Sequence, residues 1–211
     1  MLNRQGPVGS VTRLMGIALV LAVATAIPAE AHHPMGGQTP ATFAQGLLSG
    51  FGHPVIGIDH LAIILALGIV VGIAGLNLAI PAAFIGMSAL GVLVHFGGVN
   101  LPMAELVIAA SVILAGGLIA SGRTLGTPAW LALFALAGLF HGYAYGEAIV
   151  GAESTPLGAY LAGLVIMQAA LATAVALVVR RLGELSLSPR IAGAVMAGVG
   201  LATLAGQILP A

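Results

Sequence analysis

Polar positions are sparse along this chain, and long apolar runs follow one another with only short interruptions. Six runs, at about 54–76, 79–97, 103–121, 128–146, 157–179 and 191–209, each reach the roughly 20 residues that a helix needs to cross a bilayer. Strands of a membrane barrel would alternate polar and apolar positions, and these runs do not. Backbone groups in lipid must be satisfied within their own segment, so the pattern predicts helices. A shorter, Gly-broken run at 41–51 predicts a half-helix that approaches the outer surface. Linkers of a few residues make consecutive helices antiparallel. The predicted fold is all-α: a polytopic membrane helix bundle, six transmembrane helices after a cleaved signal peptide, with no soluble domain and no internal repeat.

The leader is read from a different pattern. Arg4 and Arg13 precede the apolar stretch from Leu14 to Ile27, and Ala29-Glu30-Ala31 after Pro28 has the small-x-small form of a signal-peptidase site. Cleavage after Ala31 is expected, giving a signal peptide at 1–31 and a six-helix domain at 32–211. An uncleaved first span is the alternative reading. With the mature start His32-His33-Pro34 outside the cytoplasm, Arg123, Arg180, Arg181 and Arg190 all fall in cytoplasmic linkers, as the positive-inside rule requires. Both mature termini then lie outside.

Composition narrows the chemistry. Of 211 residues 60% are hydrophobic and 6% charged, too few charges for a water-facing surface. Six Arg balance six acids and Lys is absent, which removes the basic patch that nucleic-acid binding needs. The absence of Lys also rules out the P-loop motif. With no Cys there are no disulfides, thiolate metal sites or covalent haem.

The remaining ionisable groups gather at outer-side span ends. An ionisable side chain in hydrocarbon costs about 2.5 to 3.5 kcal/mol on insertion scales, so several in one leaflet suggest a shared cavity. The first cluster is His53-Pro54-Val55-Ile56-Gly57-Ile58-Asp59-His60. Pro54 fits the first turn of a helix, which would leave His53 extended just outside its mouth, with Asp59 and His60 one to two turns below. One of these two could ligate an ion while the other orients it. The plainer alternative is that His53 caps the helix and Asp59 pairs with a neighbouring His.

The second cluster is Phe140-His141-Gly142-Tyr143-Ala144-Tyr145-Gly146-Glu147. His141 and Tyr145 share one helix face, and Tyr143 and Glu147 another. Tyr143 and Tyr145 read equally well as interface aromatics. Gly138, Gly142 and Gly146 form a small-residue stripe expected to admit a neighbouring helix, the one carrying Asp59; Gly68 and Gly72 form a similar pair explained by helix packing. His95, Glu105 and Glu153 are open to a reading as solvent-facing linker groups. His32 and His33 beside a new α-amino group would make a nitrogen-rich metal-collecting start. Gln168 is the polar exception in the cytoplasmic half.

At these two clusters the chain resembles the HupE/UreJ family of nickel and cobalt permease-like membrane proteins. The family's H-P-x-x-G-x-D-H signature is matched by His53, Pro54, Gly57, Asp59 and His60. The resemblance implies metal-handling roles for His53, Asp59 and His60, and for His141 with Glu147 in the second motif. It also implies a bacterial inner membrane setting. One departure is plain: many members have a second His where this chain has Tyr145, and their acid is usually one residue further from the glycine than Glu147.

The expected function is import of a divalent transition-metal ion, nickel or cobalt, collected at His32 and His33, passed to His53, Asp59 and His60, and met by His141 and Glu147. Metal binding by neutral imidazole makes uptake fall at acidic pH. No tightly bound cofactor and no catalysis are expected; an intramembrane metal-dependent enzyme is the remote alternative, without a motif such as H-E-x-x-H. The other alternative is a non-transporting accessory or metal-holding subunit of a hydrogenase or respiratory membrane complex. Expected partners are the metal ion, the lipid bilayer and a membrane-protein partner or second copy, with no nucleic acid.

Overall fold

The computed structural model describes residues 38–75, 77–182 and 189–209. The leader and its cleavage site, His32, His33 and Ala211 lie outside the described residues. Among those described there are seven α-helices and no strand: α1 Phe43–Ile56, α2 Ile58–Ile73, α3 Ala79–Phe96, α4 Ala104–Ser121, α5 Thr127–Gly146, α6 Ser154–Leu182 and α7 Pro189–Ile208. A 3-10 turn, Glu147–Ile149, follows α5. The predicted spans from 79 onward match α3 to α7 to within a few residues.

The first span is different. Helices α1 and α2 meet at a bend of 79° at Gly57, so among the described residues the helices long and apolar enough to cross a membrane number five, or six if the bent pair is one span. The predicted half-helix is the first arm of that pair. It starts at a capping box: the Thr42 hydroxyl accepts from the Gln45 amide at 3.2 Å, and Gln45 Oε1 accepts in return from the Thr42 amide at 3.2 Å. Pro54 does not open α2; it lies in the last turn of α1. There its missing N–H removes one intrahelical bond near an end that is about to stop. Gly57 then turns extended, and its carbonyl accepts the first bond of α2 from the Leu61 amide at 2.8 Å. Consequently His53 is helical and buried, not extended at a helix mouth.

Helix α2 is the centre of the bundle, with Ile63, Ile64 and Leu67 fully buried. Both arms of the bent pair reach the long helix α6 through glycine. A Cβ at Gly46 or Gly50 of α1 would strike the Pro156 or Tyr160 carbonyl, and one at Gly68 or Gly72 of α2 would meet Val175 or Val179. Helices α1 and α2 therefore advance along α6 in the same direction. At 29 residues, α6 is about 43 Å long, enough to brace both arms.

Two further pairs complete the fold. The stripe Gly138, Gly142, Gly146 lies on Phe84, Ser88 and His95 of α3, so the expected partner, the Asp59 helix, is corrected to α3. A glycine stripe admits whichever helix offers backbone at matching height, and sequence spacing does not say which. Helices α4 and α7 pack antiparallel through Gly116, Gly193 and Gly200. The outer faces carry exposed Leu48, Ile58, Leu78, Leu114 and Leu136, the surface of a protein solvated by lipid.

Helix order places Arg123, Arg180, Arg181 and Arg190 together at one end, where the Arg190 guanidinium donates to the Ser121 carbonyl at 3.0 Å. The histidine clusters lie toward the other end.

Candidate metal centre

The bend at Gly57 creates the site. Helix α1 delivers His53 from its last turn, and α2 delivers Asp59 and His60 from its first, so a signature of eight residues folds back on itself around the break. Asp59 is suited to this place: its carboxylate lies at a helix N-terminus and accepts from the His60 amide at 2.8 Å. Asp59 Oδ1 is also 4.0 Å from His60 Nδ1. The missing Cβ of Gly57 matters, since one would fall 2.5 Å from His60 Cδ2 and 3.3 Å from Asp59 Oδ1.

The two sequence clusters converge here. His60 Nδ1 and His141 Nδ1 are 2.9 Å apart, with ring centroids separated by 5.1 Å. His53 joins from the other side, its ring 5.8 Å from that of His60 and 5.0 Å from that of Tyr145. Tyr145 is wholly buried, and its ring centroid is 4.4 Å from that of His60. His141 and Tyr145 thus share a face, as their spacing predicted. His53, Asp59, His60 and His141 are all buried.

Sequence reasoning passed over the groups that hold these rings. Tyr160 of α6 is fully buried; its hydroxyl donates to the Tyr145 carbonyl at 2.7 Å and lies 2.9 Å from His53 Nδ1. Ser111 of α4 donates to the Ile108 carbonyl at 2.7 Å and lies 3.0 Å from His141 Nε2. Lone hydroxyls in apolar spans were the available signal for both. Gln168 is fully buried and donates to the Ser88 hydroxyl at 3.0 Å, so it has a polar companion on α3. His141, Ser111 and Tyr160 each lie about 8–10 Å along their helices from the nearer end.

Other expected members are elsewhere. Glu147 is exposed at the start of the 3-10 turn, six residues past His141, and the fold does not bring it to the buried cluster. Tyr143 stacks on His95 at 4.2 Å between centroids, and His95 Nδ1 donates to the Tyr143 carbonyl at 2.6 Å. This pair belongs to the rim, as do the exposed Glu105 and Glu153. Among the described residues, no three His, Asp or Glu side chains stand as a ready coordination shell. The arrangement is a hydrogen-bonded set of imidazoles beside a carboxylate.

The family model for "HupE / UreJ protein" matches residues 19–203. Protein HupE of Rhizobium leguminosarum bv. viciae is 33% identical over 190 residues, covering 88% of this chain and 93% of that protein. No solved structure matches. A match across nearly the whole chain, with both clusters inside it, makes this protein a member of the HupE/UreJ family.

Proposed function

We propose that the protein imports a divalent transition-metal ion, nickel first and cobalt second, through the buried set His53, Asp59, His60 and His141. The observation that carries this reading is the contact between His60 and His141, which brings the two sequence clusters together in an apolar bundle. Imidazole and carboxylate suit Ni²⁺ and Co²⁺, and the metal handling implied by family membership agrees. The gathering of four Arg at the opposite end supports an entry side outside the cytoplasm, with the mature chain starting at His32 and His33. The exposed carboxylate of Glu147 then serves as a rim group that attracts cations toward the cluster.

A second reading, a subunit that holds metal without conducting it, is favoured by one feature. Beyond the cluster, α2 continues as tightly buried Ile63, Ile64 and Leu67, with Ser88 and Gln168 as the polar pair nearby. Uptake into proteoliposomes separates the two. Accumulation of Ni²⁺ or Co²⁺ above Cu²⁺ and Zn²⁺, abolished in Asp59→Ala at equal protein level, is the result expected of an importer. Binding without accumulation would favour the holding role, and full accumulation in Asp59→Ala would refute the site.

A further inference from the structure

The hydrogen bonds around the histidines have a determined direction. A carbonyl oxygen only accepts, so the single proton of the Tyr160 hydroxyl is committed to the Tyr145 carbonyl at 2.7 Å. Toward His53, 2.9 Å away, that hydroxyl can only accept, and His53 Nδ1 must carry a hydrogen. The neutral ring then has its lone pair on Nε2. The same reasoning applies at Ser111, whose proton is committed to the Ile108 carbonyl at 2.7 Å. The Ser111 oxygen, 3.0 Å from His141 Nε2, accepts from it, leaving the lone pair of His141 on Nδ1. That nitrogen faces His60 Nδ1 at 2.9 Å, so His60 Nδ1 is the donor of the pair, and in the neutral ring the lone pair is on Nε2. Two backbone carbonyls, on α4 and α5, thus set the proton positions of three imidazoles on α1, α2 and α5.

We propose that Tyr160 and Ser111, neither of which lies in the two sequence clusters, are positioning residues that fix the tautomers of His53 and His141, so that His53 and His60 both present Nε2 to a divalent transition-metal ion. His141 acts in this scheme by holding His60 through Nδ1. The inference rests on the metal-handling reading above. Its physical basis is that a ligating imidazole must offer one nitrogen with a lone pair, and a fixed hydrogen bond at the other nitrogen decides which one and orients the ring. Here both hydroxyls are buried, and each is locked by a carbonyl of the helix framework rather than by a mobile side chain.

The test is nitrogen NMR of the full chain in lipid bilayers, labelled with ¹⁵N-histidine and free of metal, with signals assigned from His53→Gln and His141→Gln. The native chain is expected to show His53 protonated at Nδ1 and His141 at Nε2. Tyr160→Phe is expected to release the His53 preference alone, and Ser111→Ala that of His141 and, through it, His60, with Ser111→Thr restoring both. Titration with Ni²⁺ should show affinity weakened about 10- to 100-fold in Tyr160→Phe and Ser111→Ala, and near native in Ser111→Thr. The opposite tautomers in the native chain overturn the proposal even if neither variant folds. Unchanged tautomers in the folded variants, or unchanged Ni²⁺ affinity, overturn it as well. A native chain that binds no Ni²⁺ overturns the importer reading, and its tautomers still judge the wiring separately.

Discussion

The phenol ring of Tyr145 lies 4.4 Å from the imidazole of His60, centroid to centroid, inside the buried cluster. Four residues along the same helix face is His141. Replacing Tyr145 by His should therefore add a nitrogen ligand next to an existing set. We expect Tyr145→His to tighten Ni²⁺ and Co²⁺ binding while leaving Mg²⁺, which prefers oxygen and keeps its waters, almost unaffected. Flux should stay equal or fall, because a tightly held ion leaves slowly. Calorimetric titration alongside uptake would read both, and unchanged affinity would separate Tyr145 from the metal's path.

Glu147 is six residues from His141 but exposed, while His141 has no solvent contact. Their roles should part on mutation. His53→Ala, His60→Ala and His141→Ala are each expected to remove Ni²⁺ accumulation with the protein still in the membrane. Glu147→Gln should retain most of it, with a loss confined to low ion concentration and weakened further by salt. Loss as complete as in His141→Ala would show that the carboxylate enters the cluster during transport.

Gly57 is held by space as well as by backbone. In Gly57→Ala the new methyl would press on the His60 ring at Cδ2, 2.5 Å from its ideal position, and on Asp59 Oδ1 at 3.3 Å. Because the extended backbone at φ −75° and ψ 115° suits alanine, the helices should still form. We expect folded protein with sharply reduced metal affinity. Normal affinity at normal thermal stability would mean that His60 has room to move aside.

Two glycines give a paired measurement of packing. In Gly138→Ala the methyl group would collide with the Phe84 carbonyl, whereas nothing lies within 4 Å of a Cβ at Gly117. Thermal unfolding in detergent should show Gly138→Ala destabilised by about 1–3 kcal/mol. Gly117→Ala should be neutral, or stabilised by up to about 1 kcal/mol through helix propensity. Equal effects would mean that α3 and α5 are not in backbone contact.

The helices were legible because lipid imposes one rule on every span, and lengths near 20 apolar residues leave little freedom. The gathering of His53, Asp59, His60 and His141 was legible because buried ionisable groups are costly, and the fold does bring them together. The bend at Gly57 was not legible. Pro54 is compatible with the first turn of a helix and with the last, and the choice depends on α1 finding backbone contact along α6, a partner about 110 residues away. The same distance hid Tyr160, since a tyrosine near a span end is ordinary until its hydroxyl is seen between His53 and a carbonyl. Glu147 was expected in the metal set from the family resemblance, and the structure leaves it exposed at the start of the 3-10 turn that follows Gly146.

The glycine contacts have a mechanical consequence. They divide the bundle into three stiff bodies: α1 and α2 on α6, α3 on α5, and α4 on α7. Within each body backbone rests on backbone, leaving no slack for sliding. The polar links, by contrast, bridge the seams: His60 to His141, Ser111 to His141, Gln168 to Ser88, and Tyr160 to the Tyr145 carbonyl. Relative movement of the bodies would strain these hydrogen bonds and the shared apolar core before it touched the glycine contacts. The seams where the three bodies meet therefore run through the histidines themselves, so that any ion lodged there touches all three at once.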